Sequence, residues 1–124
     1  MAEADHHNRR QRLRYADGAT RVLLRGQGLL GRLKADAREL LDYHREGLSF
    51  AHDVELDAGV VLALDVDAGE LHVTGIPALV RDCAPHGDGF RVGVSFAPDR
   101  LREGAATRLR TELHRLENIL KRRL

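Results

Sequence analysis

The chain has 124 residues, of which 43% are hydrophobic and 31% charged, a size and balance that suit one globular domain with a real core and exclude a disordered chain. With 20 Lys+Arg against 19 Asp+Glu the formal net charge is +1, whereas a general nucleic-acid binder carries a larger basic excess because its affinity comes from neutralising phosphates. Cys83 is the single cysteine, which excludes an internal disulfide and fits a reducing compartment.

Residues 1–8 carry small and polar side chains that bury nothing, so a flexible N-terminus is expected there. The adjacent His6 and His7 lack further ligands nearby, too little to expect a metal. This segment has no apolar core of the kind a signal peptide needs, and no later run is long enough to span a bilayer. A cytoplasmic protein that does not engage membranes is the expectation. The stretch "NRRQRLRY" then places Arg9, Arg10, Arg12 and Arg14 close together. Against a nearly neutral whole, this cluster is a local feature.

"ADG" reads as a turn and "TRVLLR" as a strand rich in branched residues. "GQGLLG" has the G-x-G-x-x-G spacing of a dinucleotide-binding loop, and Leu29, Leu30, Leu33, Ala37, Leu40 and Leu41 follow it at helical spacing. The strand–helix alternation of a doubly wound sheet does not continue, so the glycines are read as a flexible connection between strands. Leu33, Ala35, Ala37 and Leu41 fit strand alternation equally well, and the local structure stays open between the two.

From there the period is two. "GLSFA" puts Leu48 and Phe50 on one face, "VVLALDV" reads as a buried strand, and "LHVTGIPALVRD" continues extended with Gly75 and Pro77 marking a bend or bulge. "CAPHGDG" reads as a turn cluster. In "FRVGVSF" the residues Phe90, Val92, Val94 and Phe96 point inward while Arg91, Gly93 and Ser95 point out. Short strands joined by turns without intervening helices describe an antiparallel sheet curled into a small barrel.

Pro98 and Asp99 suggest a helix start with Asp99 as its cap. Beyond them Ala106, Leu109, Leu113, Leu116 and Leu120 recur at steps of three and four. Such a stripe can lie over the barrel or form a seam with a partner chain, including a second copy of this one.

"DYHREGLSF" falls at a strand–turn–strand junction, with Asp42 ending one strand and Gly47 opening the next. Taken alone, Asp42 would bond its own backbone and Gly47 would supply an unusual dihedral. Together with Arg10 and Arg14, which match an R-x-x-x-R element, with Asp42, His44 and Gly47, which match D/N-x-S-x-x-G except for His in place of Ser, and with the closing "GVSF", the chain resembles the PilZ domain family from about Asn8 to Ala97.

The resemblance implies a mainly β fold, a six-stranded antiparallel PilZ-type barrel over residues 9–97 that includes the Arg arm, followed by a C-terminal helix over 98–124. It implies a bacterial second-messenger receptor whose ligand is cyclic di-GMP and whose surface changes on binding to regulate a protein partner. Arginine suits such a ligand because its planar fork bonds phosphate oxygens and guanine O6 and N7 and stacks on a base. By the same resemblance Arg10 and Arg14 are the leading contacts, Arg9 and Arg12 secondary ones. Asp42 accepts from guanine N–H groups and Gly47 permits close approach of ligand and backbone. His44 substitutes a ring for a compact hydroxyl. Ordering an arm costs about 1–2 kcal/mol per residue and a charge-assisted hydrogen bond returns about 1.5–3 kcal/mol, so a ligand with two phosphates and two bases can order it. The alternative is a divergent adaptor that binds protein without nucleotide.

No enzyme is expected: Ser49 and Ser95 lack a paired base, and His52, His72, His86 and His114 show no ligand spacing, so neither a resident cofactor nor a metal is anticipated.

Overall fold

A computed structural model describes residues 17–25 and 37–123. Strands β1 (Arg21–Arg25), β2 (Ala37–His44), β3 (Gly47–His52), β4 (Val61–Asp67), β5 (His72–His86) and β6 (Gly89–Phe96) precede a short 3₁₀ turn, Pro98–Arg100, and helix α1 (Glu103–Arg122). The strands form a closed antiparallel barrel in the order β1-β2-β3-β6-β5-β4, with β4 returning to pair with β1. Closure pairs every strand with a neighbour on each side, which removes much of the usual template for edge-to-edge association.

Period-two alternation fills the interior. Val22, Leu40, Tyr43, Leu48, Phe50, Leu64, Val66, Val73, Ile76, Ala78, Val80, Val92 and Val94 are all buried there. Leu40 belongs to β2, so the helical spacing that ran on into Ala37–Leu41 is overruled by pairing: Leu40 faces Phe50 across the ladder. The glycine-rich loop before it lies outside the described residues.

β4 and β5 pair with a register shift between Leu64 and Val66. Gly75 takes a positive φ of 66° at this irregularity, and its N–H donates to Asp65 Oδ1 at 2.9 Å. A glycine tolerates that backbone at a bulge where a branched residue would be strained. Pro77, by contrast, stays in register opposite Ala63.

The expected turn cluster "CAPHGDG" is mostly strand. Cys83, Ala84, Pro85 and His86 pair with Val92, Arg91, Phe90 and Gly89, leaving only Gly87 and Asp88 as the turn. Pairing with the strongly alternating β6 outweighs local turn preference, an instance of tertiary context deciding β structure.

Asp99 does not cap the helix. It lies in the 3₁₀ turn, after which Leu101 is extended, and α1 begins at Glu103 with Arg102 at the N-cap and no side-chain cap bond. Extended Leu101, which packs against the core cluster, separates the 3₁₀ turn from the helix. Ala106, Leu109, Leu113, Leu116, Ile119 and Leu120 are buried along α1, and all but Ala106 join the barrel's core cluster. Among the described residues, no helix is long and apolar enough to cross a membrane.

Arg123 fastens the far end of α1. It donates to Asp17 Oδ2 at 2.7 Å, to the Ala68 carbonyl at 2.6 Å and to Glu70 Oε1 at 3.2 Å. Burial alone would push the Asp17 carboxyl up. Hydrogen bonds from the Thr20 N–H and hydroxyl, Arg123 and the Ala19 N–H outweigh it and hold Asp17 well below the usual carboxylate range. A depressed carboxylate stabilises the fold above its unfolded value of about 3.9 and loses that contribution as pH falls through its folded value. Arg123→Ala is therefore expected to lower Tm at pH 7. The gap from the parent should narrow as pH drops below about 4, which a thermal-melt series across pH checks.

Gly47 has a different constraint. A Cβ at this position would sit 2.0 Å from the Val94 carbonyl oxygen, a backbone atom of β6 that cannot swing away. Gly47 is not among the positive-φ glycines, so close strand approach, and not an unusual dihedral, requires it. Gly47→Ala is expected to cost about 3 kcal/mol or more in denaturant unfolding.

Candidate ligand site on the outer barrel face

The β2–β3 hairpin carries the second sequence element. His44 pairs with Gly47, leaving Arg45 and Glu46 as the turn, and the Glu46 carbonyl accepts from the Phe96 N–H at 2.9 Å. Inside, Tyr43 is 0% exposed, its hydroxyl donates to the Leu113 carbonyl of α1 at 3.0 Å, and its ring lies 5.6 Å from that of Phe96. With Tyr43 inside, strand alternation directs Asp42 and His44 to the outer face.

Three pairings extend that face sideways. Asp42 stands opposite Ser49 on β3, Ser49 opposite Gly93 on β6, and Gly93 opposite Asp82 on β5. Since Leu48, Phe50, Val92 and Val94 are buried inward, Ser49, Arg91 and Gly93 belong to the outer face.

Arg91 organises it. Its Nε donates to Ser49 Oγ at 3.2 Å, and an Nη donates to the Asp42 carboxylate. The Asp42 side chain is 15% exposed and that of Arg91 42% exposed. A carboxylate so covered needs a cation, and Arg91 supplies it with a charge-assisted bond. The carboxylate offers about four lone-pair sites, so Asp42 can accept from a ligand as well as from Arg91.

His44 Nδ1 accepts from the Glu46 N–H at 3.2 Å. This is the i to i+2 bond by which Asp, Asn or Ser side chains clamp turns, here made by a ring nitrogen. Accepting at Nδ1 places the proton of the neutral ring on Nε2. Arg45 runs toward α1, its Nε 3.7 Å from Glu117 Oε1. A cleft of about 480 Å³ lies beside it, lined by Arg45, Ser95 and Phe96 on the barrel and Arg110, His114 and Glu117 on the helix.

Asp42, His44 and Gly47 are thus brought together in one hairpin, with Gly47 committed to strand approach. Arg9, Arg10, Arg12 and Arg14 lie outside the described residues. Arg91 was placed outward by the alternation of "FRVGVSF" but given no role there. Its partner Asp42 is 49 residues away, and only the β3–β6 pairing reveals it. Among the described residues no group of three or more His, Cys, Asp or Glu could hold a metal ion.

The barrel and helix match solved PilZ domains. The PilZ domain of YcgR from Escherichia coli, solved with c-di-GMP, superposes with a TM-score of 0.61 at 13% identity, covering 89% of this chain and 89% of that one. The longer YcgR chain, crystallised in complex with c-di-GMP, gives a TM-score of 0.58 at 15% identity; 89% of this chain aligns with 46% of that one. The chain thus spans about half the length of that protein. No protein-family model and no curated protein sequence matches the chain. The fold is PilZ-type: a six-stranded antiparallel barrel with a C-terminal helix.

Tyr43 ties this hairpin to α1, and its phenol is pushed up from the ordinary value of 10 by burial first and the nearby Glu117 charge second. A raised phenol binds its proton more tightly in the fold, so the stability it contributes is present below about pH 10 and lost above it. Tyr43→Phe keeps the ring and is expected to lose about 1 kcal/mol at pH 7, with an unchanged m value in urea. The variant should also show a shallower decline above about pH 10.

Proposed function

We propose that this chain is a cyclic di-GMP receptor that takes its ligand on the outer face of the β2–β3 hairpin. The observation that carries this reading is the assembly of Asp42, Ser49 and Arg91 on that face of a PilZ-type barrel, in a chain whose N-terminal segment contains Arg9, Arg10, Arg12 and Arg14. The same fold in YcgR was solved with c-di-GMP, which supports the choice of ligand.

Roles follow from chemistry. Arg10 and Arg14 are the leading contacts to phosphate and guanine, because a guanidinium serves both. Arg9 and Arg12 add charge. Asp42 accepts from guanine N–H donors while Arg91 orients its carboxylate. His44 holds the turn through the Glu46 N–H. The nucleotide is a ligand and not a resident cofactor. A strand surface covers only one side of a ligand, so the Arg arm would close over the other. The resulting change of surface is what a protein partner would read.

The engagement of Asp42 by Arg91 also suits the second reading, an adaptor whose hairpin is permanently satisfied and binds no nucleotide. Isothermal titration separates the two. Heat at micromolar cyclic di-GMP is expected, and its absence overturns the receptor reading in favour of the adaptor. Arg14→Ala should weaken binding by roughly ten- to hundredfold; equal affinity would take Arg14 out of the site.

A further inference from the structure

The row Asp42, Ser49, Gly93 and Asp82 ends in a second carboxylate that the proposed roles leave unused. Asp82 follows a register shift in the β5–β6 pairing between Val80 and Asp82, and it is exposed. Its carboxylate lies close to the strand backbone at Gly93. A Cβ built on Gly93 would meet Asp82 Oδ1 at 2.6 Å and Oδ2 at 3.3 Å, so the group folds back over the glycine. Gly93 carries no positive φ, and the atoms that would meet its Cβ are those of Asp82. The glycine is thus the place where this carboxylate rests on the sheet.

The two ends of the row differ in their partners. Asp42 is engaged by Arg91, whereas among the described residues no cation or hydrogen-bond donor engages Asp82. An ionised carboxylate is acceptor-only, and two oxygens side by side match two neighbouring N–H donors. Guanine offers such a pair in N1–H and the exocyclic N2 amine. Adenine has no donor at N1 or C2.

Resting on the cyclic di-GMP reading above, we infer that Asp82 is a guanine-reading residue, which accepts from the N1–H and N2–H₂ edge of a base lying beside its carboxylate on this face and makes the site discriminate against adenine. Asp82 and Asp42 then flank the platform on opposite sides, with Arg91 serving one of them. The absence of a side chain at Gly93 leaves room for the Asp82 carboxylate to lie against the strand. Asp82→Asn keeps the shape but replaces one acceptor by a donor, which opposes the guanine edge.

The test is isothermal titration of the full chain with cyclic di-GMP and, separately, cyclic di-AMP, which has the same phosphate–ribose ring and lacks the two donors. The parent protein is expected to prefer cyclic di-GMP. Asp82→Asn should lower cyclic di-GMP affinity by about tenfold or more, leave any cyclic di-AMP binding unchanged, and melt at the parent temperature because Asp82 holds no folded-state partner. Gly93→Ala, which displaces only the flexible carboxylate, should reproduce the loss. Parent-like cyclic di-GMP affinity in Asp82→Asn overturns the assignment while leaving the receptor reading intact. An equal loss for both nucleotides also overturns it, since the residue would then act on shape or charge. No binding of cyclic di-GMP by the parent protein removes the receptor reading and this inference with it.

Discussion

The placement of Tyr43 inside the barrel governs the rest of the hairpin. Its ring is completely buried, and its hydroxyl is committed to the Leu113 carbonyl on α1. A slip of β2 by one residue would expel this side chain and draw Asp42 or His44 into an apolar interior, costing several kcal/mol for an unpaired charge. The register therefore has one solution. In that solution Asp42 and His44 face out, the turn falls at Arg45 and Glu46, and Gly47 meets Val94 at a distance no other residue permits.

That same contact joins the two layers of the molecule. α1 buries a leucine stripe on the barrel, and Tyr43 adds a directional bond where the stripe passes behind the hairpin. Arg123 adds a second fixed point, bridging the helix C-terminus to Asp17 and to the β4–β5 turn. Apolar burial is non-directional; these two polar ties determine how the helix lies. The hairpin that offers the candidate site is thus packed directly against the helix.

Much of the fold was legible from residue order. Alternation in "FRVGVSF" and "GLSFA" assigned Val92, Val94, Phe96, Leu48 and Phe50 to the core side, though Phe90 stays outside the core cluster, and the leucine stripe marked the helix and its buried face. Composition near neutrality kept the Arg cluster from being taken for a general nucleic-acid arm. The readings that failed, the turn at "CAPHGDG" and the cap at Asp99, relied on local preference. The turn gave way because pairing with β6 outweighs a local turn preference, and the cap because Asp99 falls in a 3₁₀ turn ahead of an extended Leu101.

The sequence by itself determined which side chains share a face, since a period of two or of 3.6 is a property of consecutive residues. It also determined the hairpin of Asp42, His44 and Gly47, because those residues are close along the chain. Only the tertiary structure decided that Arg91 completes Asp42, that Gly47 serves strand approach, and that Asp82 folds over Gly93. The reason is topological: β3 neighbours β6 in the closed barrel, and no local pattern states which strand will lie beside which.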